Sequence, residues 1–565
     1  MVNPSININP AVPPQSTNWR RYLGFSTDHK VIGIQYIVTA FLFFLIAGLL
    51  SMVIRAELIT PELNLVDRST YNGLFTLHGT MMIFLWIIPC MAGLANYLVP
   101  LMIGARDMAF PLLNAIAFWI IPPAGVMLLS SFLLPSGTAQ AGWWSYPPVS
   151  IQNPSGHLIN GELIWILSVA LLGVSSIMGG VNFVTTIVWM RAPGMTFFRM
   201  PLFVWTVLSA QILQLFCLPA LTGGIILLLF DLALGTNLFN PFKDGSPVLY
   251  QHLFWFYSHP AVYVMALPAF GIFSEVLPTF SRNPLFGYRT VALASFGISF
   301  VSIFVWVHHM FAGGTPGWMR LAFMVSSMLI AVFTGIKEFA WTATVWNGRL
   351  HLDTPMLFAL AGVVSFLFGG ITGIMLSSVP FDLHVNNTYF VVGHFHYVVY
   401  NTITMAIFAG IYYWFPKMTG RLYAEGWGKL HFWLTLVGAN LTFFPMHPLG
   451  LQGMVRRISS YAPQYANWNV MASIGAFLLG MSILPFIANI VISWLQGRPA
   501  ANNPWHSTGL EWTTTSPPPV ENFEQIPVVT GPPYNYGHRP DLEGDQGKNQ
   551  DKNSDRTGNA EDQEV

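Results

Sequence analysis

Six histidines sit inside long apolar stretches of this 565-residue chain: His78, His259, the adjacent His308 and His309, and the near pair His394 and His396. Ionisable groups in such stretches are expensive and usually functional. His394 and His396 are two positions apart, so on a helix of 3.6 residues per turn they project about 200° apart. They serve two neighbouring centres rather than one. His308 and His309 project about 100° apart and can share a metal if the helix end is distorted. His259 and Tyr263 stand at i and i+4, on one helical face. Imidazole suits copper and iron, and three imidazoles form a copper site with an open position. Any one of these rings could be a hydrogen-bonded packing residue; six at a common depth point to metal.

That common depth depends on the elements that carry them. The chain is 53% hydrophobic and only 8% charged, whereas soluble chains carry roughly a quarter charged residues. A membrane span needs about 20 apolar residues. About twelve stretches qualify, near 32–54, 73–99, 114–134, 161–189, 202–231, 251–279, 288–310, 321–342, 355–377, 388–415, 429–448 and 468–495. The expected fold is therefore all-α, a polytopic bundle, because lipid offers no partner to an unpaired backbone group. Barrel strands would be shorter and would alternate in polarity.

Loop lysines and arginines set the orientation. One set of loops holds Arg20, Arg21, Lys30, Arg106, Arg191, Arg199, Arg282, Arg289, Arg349, Lys417, Arg421 and Lys429; the other holds Arg55, Arg68, Lys243, Arg320, Arg456 and Arg457. The richer set marks the cytoplasm and places both termini there. Even-numbered spans then begin outside, odd ones end outside, and all six histidines fall in outer halves.

The expected organisation is a cytoplasmic segment over 1–30, a twelve-helix domain over 31–497 and a cytoplasmic tail over 498–565. The tail should lie along the membrane face to about 537 and be disordered beyond, where apolar residues almost vanish. The N-terminal segment does not read as a cleavable signal peptide. A formal net charge of zero argues against nucleic acid as a partner. Cys90 and Cys217 lie in apolar runs and read as core residues. His29, His157, His252, His351, His384, His431 and His447 lie in loops or near span ends, where solvation is expected.

On five motifs the chain resembles subunit I of the haem–copper oxidases, of the cytochrome c oxidase type, in its bacterial forms. They are TLHGTMMIF around His78, FWFYSHPAVYV around His259, VWVHHMF around His308, GIK at Lys337 and VVGHFHYVV around His394. The likeness runs from about Trp19 to Gly537. It implies His78 and His396 as axial ligands of a low-spin haem and His394 as proximal ligand of a high-spin haem, with haem A the expected type. It implies His259, His308 and His309 as ligands of one copper ion, with Tyr263 covalently joined to His259. Arg55 would lie beside the low-spin haem, Arg456 and Arg457 would hold propionates, and Trp255 would also contact cofactor.

The resemblance also implies two proton paths. Lys337 and Thr334 match the lysine path toward Tyr263. Asp107, Asn96, Asn114, Ser175, Ser176 and Asn182 match a second path. Its usual glutamate, two residues after the first copper ligand, is Ala261 here; Tyr257 and Ser258 resemble the branch that uses that pair instead. A His-Asp pair that helps hold magnesium in relatives is replaced by Asn386 and Asn387, so a standard magnesium site is not expected.

The expected activity is reduction of dioxygen to water by a respiratory terminal oxidase in a bacterial inner membrane or an internal photosynthetic membrane. Electrons would come from cytochrome c, protons would be translocated, and subunits II and III and membrane lipid would surround the chain. The alternatives are a quinol oxidase of the same family, a nitric oxide reductase, against which Tyr263 and Lys337 argue, and a colourless proton or ion transporter.

Overall fold

The computed structural model describes residues 19–152 and 156–536. Among them there is no β-strand, only isolated bridges such as Arg421 with Pro499. Ten helices are long and apolar enough to cross a membrane. In this account they are α1 His29–Glu57, α2 Arg68–Ile103, α3 Pro111–Leu133, α4 Gly161–Trp189, α5 Leu202–Leu234, α6 Pro247–Ser281, α8 Gly317–Val345, α9 Thr354–Ser377, α10 Tyr389–Thr419 and α12 Pro463–Gln496. The remaining two expected spans are α7 Tyr288–Ser302 and α11 Glu425–Phe443. α7 is short because its helix breaks before the His308–His309 pair. α11 is 19 residues long and carries Glu425, Lys429 and His431 near its start. Together they complete the bundle of about twelve.

Local chemistry sets several boundaries. Asp67 caps α2 by accepting from the Ser69 and Thr70 amides, and Ser246 caps α6 by accepting from Leu249 N. α2 ends on Gly104 at φ 74°, a left-handed geometry that glycine adopts without penalty. α2 and α10 each contain a six-residue π-helical stretch, Met82–Ile87 and Val399–Thr404. Both follow closely on a site histidine, and such stretches concentrate at functional sites.

α6 lies at the centre, with 89% of its apolar window buried, while α8 has 6% buried and forms an outer wall. Cys90 and Cys217 are free and buried, as expected of core residues. At the Lys- and Arg-rich end of the bundle, residues 498–536 pack inward and bury Glu511, Trp512, Asn522, Tyr534 and Tyr536. The stretch from Gly537 to Val565, expected to be disordered, lies outside the described residues, as does most of the expected N-terminal segment.

Candidate functional site

All six histidines line one cavity of about 1220 Å³. His78 and His396 face each other across it, with ring centroids 6.5 Å apart and planes 20° apart. That is too far for stacking. An imidazole nitrogen sits roughly 2.0 Å from a bound metal and about 1.1 Å from its own ring centre, so two trans ligands would place centroids roughly 6 Å apart. The gap between the rings leaves room for a metal ion. His78 Nδ1–H donates to Ala47 O at 2.9 Å, and His396 Nδ1–H to Val392 O at 2.9 Å. Each bond fixes the tautomer and leaves Nε2 free as a metal ligand.

His394 donates from Nδ1 to Gly369 O at 3.1 Å, with Thr372 Oγ1 also at 3.1 Å. Its ring lies so close to α9 that a Cβ on Gly373 would sit 2.9 Å from His394 Cε1. Glycine there gives the ring its room. His394 thus has its Nδ1 engaged and its Nε2 left over, while the ring of His396 is the one that faces His78.

His259, His308 and His309 form a cluster whose ligand atoms all lie within 4.8 Å of one another. Residues 306–310 form a short 3-10 helix, the distortion that lets adjacent rings converge. His308 Nδ1 meets Ser327 Oγ at 2.9 Å, and that hydroxyl donates to Phe323 O, so the imidazole N–H is the donor and Nε2 stays free. His259 Nδ1 lies 3.0 Å from His309 Nε2, two ring nitrogens turned to one point. His259 Nε2 is buried without a partner, and the Tyr263 ring centroid is 4.9 Å from that of His259. Trp255 stacks on His309 at 3.7 Å and 7°, and hydrogen-bonds Tyr146. It thus touches the cluster through a ligand ring.

Buried guanidinium atoms without partners line the same cavity. Arg55 is tied through Nη2 to Asn469 O at 2.8 Å and Ser473 Oγ at 3.0 Å, yet its Nε and Nη1 are unpaired. Arg456 Nε is likewise unpaired. Burial lowers both Arg456 and Arg457, and the two positive charges reinforce the effect at Arg457. Orphaned donors in a cavity wall fit an anionic or carbonyl-bearing group. Asn387 Oδ1 accepts from Arg456 Nη2 at 3.1 Å, and Asn386 Nδ2 donates to Asp382 Oδ2 at 3.0 Å. Burial raises the Asp382 carboxyl to about 6. The side-chain amides of Asn386 and Asn387 are thus both engaged with protein groups.

Lys337 is fully buried and donates to Ser295 Oγ at 2.8 Å. Thr334 lines the main cavity three residues away on α8. Of the second set, Asn182 is committed to the loop, accepting from Phe110 N at 2.9 Å. Asn96 Oδ1 and Asn114 Nδ2 are buried and unpartnered. Ser175 and Ser176 line a separate space of about 50 Å³ with Tyr36 and Gln214, room for ordered water. Asp107, in the loop before α3, is raised to about 6 by burial, opposed by the Met108 amide. Ser258 Oγ lines the main cavity without a partner, and Tyr257 is buried.

The sequence reading missed Gln214, buried with an unpaired Oε1; a polar residue mid-span was its available signal. Solvation fails for His29, His431 and His447, all of which are buried. His29 Nδ1 lies 2.7 Å from Asn96 O and its Nε2 3.1 Å from Asn522 Oδ1. His431 meets Tyr412 OH at 3.1 Å among Phe358, Phe408 and Phe486. His447 packs beside Gly393 and donates to Phe444 O at 3.2 Å. None of the three joins the metal-facing cluster.

The profile of the family described as Cytochrome C and Quinol oxidase polypeptide I matches residues 31–478. A cytochrome c oxidase subunit 1 from Synechocystis sp. is 54% identical over 528 residues, covering 94% of this chain and 95% of that protein. One from Thermostichus vulcanus is 53% identical over 525 residues, covering 93% and 94%. Among solved structures, a heme-copper terminal oxidase dimer matches with a TM-score of 0.71 at 21% identity, covering 92% of this chain and 97% of that one. At that identity the likeness is one of fold.

Proposed function

The chain belongs to the cytochrome c and quinol oxidase subunit I family, and from that premise we propose the role of each group around its cavity. The protein is the catalytic subunit of a respiratory terminal oxidase, reducing dioxygen to water with electrons from cytochrome c and coupled proton translocation. The observation that carries the reading is the sorting of six cavity histidines into a facing pair, a cluster of three and one lone ring.

His78 and His396 would hold the low-spin haem iron, His394 the high-spin haem iron, and His259, His308 and His309 the copper. When bound, these groups supply the redox chemistry that takes four electrons to dioxygen. The protein supplies orientation and charge. Carbonyl acceptors fix the ring tautomers of His78, His394 and His396, and Ser327 does so for His308. Trp255 clamps the His309 ring by stacking. The unpaired Nε and Nη1 of Arg55 would meet a polar ring substituent, and Arg456, with its unpaired Nε, and Arg457 beside it on the cavity wall would hold propionates. Tyr263, one turn from His259 with its unpartnered Nε2, would form the covalent link and donate a proton and an electron; the 4.9 Å between the two ring centroids supports that reading.

Protons must reach this buried site through polar groups. Lys337 and Thr334 serve one path from the basic end of the bundle. Asp107, Asn96, Asn114, Ser175, Ser176 and Asn182 serve the other, headed by Tyr257 and Ser258. A carboxyl raised to about 6 at Asp107 exchanges protons readily near neutral pH. The electron donor docks on another subunit of the assembly. Subunits II and III and the surrounding lipid complete the assembly in a bacterial inner or internal photosynthetic membrane, with the basic end of the bundle and residues 498–536 on the cytoplasmic side.

The test is to purify the complex, extract its haems, and measure oxygen uptake with cytochrome c and with quinol. Two haems, copper and cytochrome c-supported uptake are expected. Uptake with quinol alone would move the chain to the quinol-oxidising members, and a colourless protein would sink the oxidase reading altogether.

A further inference from the structure

The oxidase reading leaves the carboxylate of Glu338, on the cavity wall, without a task. Glu338 follows Lys337 on α8, is half-buried, and has an Oε1 that is buried without a hydrogen-bond partner. Unpaired buried polar atoms are rare enough in folded proteins to require a reason. Glu338 lines the same cavity as the histidines, and so do Ser327, Ala331, Thr334 and Thr342 of the same helix. Steps of three and four residues put these positions on one continuous helical face. That face begins at Ser327, which accepts from His308 Nδ1, and ends at Thr342, which donates to the Glu338 carbonyl at 2.9 Å.

Lys337 lies about 100° round the helix from Glu338 at nearly the same depth. Its ammonium turns to Ser295, and among the described residues it makes no ion pair with any carboxylate. Seven residues separate Glu338 from the end of α8 at Val345, a rise of about 10 Å. It is the first ionisable side chain of α8 met from the basic end of the bundle.

We propose that Glu338 is a proton-relay residue of this chain, taking protons from the cytoplasmic side and passing them to Lys337 and Thr334. The proposal rests on the reading of Lys337 as a proton carrier. In the transfer, the carboxyl O–H breaks and an N–H forms on the lysine amine, or an O–H on an intervening water. The carboxylate then regains a proton from cytoplasmic water, and no electron moves.

The experiment uses the assembled oxidase with Glu338→Gln, Glu338→Asp and Lys337→Met. Glu338→Gln keeps the shape and loses the exchangeable proton. Steady-state oxygen uptake should fall roughly tenfold, short of the roughly 10²–10⁴-fold that a directly acting proton donor supplies, because water can still carry protons to Lys337. Reduction of the low-spin haem by the donor should keep its rate while reduction of the high-spin haem slows. The pH profile of that slow step should lose one ionisation, and Glu338→Asp should restore both rate and profile in part. A wild-type rate and profile in Glu338→Gln, with Lys337→Met stalled, would overturn the relay and leave the lysine path standing. Equal losses in Gln and Asp variants with an unaltered pH profile would assign Glu338 a packing role and overturn it too. Normal turnover in Lys337→Met would remove the lysine path and the relay with it.

Discussion

The two ends of this bundle bury polar groups differently. Around the histidine cavity, Arg55 Nε and Nη1, Arg456 Nε and His259 Nε2 are buried and unpaired. At the basic end, Lys417 is equally buried but donates to the carbonyls of Asn502, Thr514 and Thr515 at 3.2, 2.8 and 3.2 Å. Glu275 there accepts from Tyr534 OH and Phe203 N. His29 and Lys30 both reach Asn522. A buried polar atom without a partner costs about 1–3 kcal/mol. Orphans gathered in one cavity therefore mark where a cofactor brings the missing partners. At the basic end the orphans, such as Glu511 Oε2 and Asn96 Oδ1, are scattered among paired groups, and the paired ones form a joint that ties residues 498–536 to the bundle.

The comparison breaks first at the metal end. His394→Ala should abolish oxygen uptake while the low-spin haem signal persists, because His396 points to a different centre. Retained turnover, measured with an oxygen electrode, would remove the proximal-ligand assignment. Lys337→Met should slow turnover by roughly a hundredfold, the scale on which a proton carrier acts; unchanged turnover would take Lys337 out of the path.

The structural end should respond in stability rather than chemistry. Tyr534→Phe removes the hydroxyl that meets Glu275 and accepts from Leu202 N at 2.6 Å. It should cost about 1–3 kcal/mol, read as a lower melting temperature, with oxygen uptake per haem unchanged. A drop in turnover per haem without a melting shift would show that the joint serves the reaction after all.

The smallest effect is expected at Asp107. Its carboxyl rises from 3.8 to about 6 through burial. The folded state then binds more protons than the unfolded state between those values, so this contribution to stability is present at low pH and is lost as pH rises through about 6. Asp107→Asn should melt slightly higher than the parent at pH 7 and no higher at pH 4. A gap of the same size at both pH values would contradict the buried-carboxyl account.

Much of the site was legible because it is written in short-range spacing. The two-residue step between His394 and His396 dictates opposite directions on any helix, and the structure sends one ring toward His78 and the other elsewhere. The His308–His309 pair required a distorted helix end, and a 3-10 turn is found there. The same logic failed for His29, His431 and His447, whose burial depends on segments remote in sequence. Asn522, which covers His29, is 493 positions away. Gln214 and Glu338 escaped for a related reason, since a lone polar residue in a span has no partner by which spacing can identify it.

Composition and periodicity by themselves determined an all-helical membrane bundle and six histidines too costly to bury without purpose, because lipid penalises unpaired backbone and lone charge wherever they occur. Only tertiary structure decided which of those rings face one another with room for a metal between them, which guanidinium atoms are left unpaired, and which residues of 498–536 fold back as core. Those outcomes depend on contacts between helices far apart in the chain, and helical spacing along one segment carries no information about its neighbours.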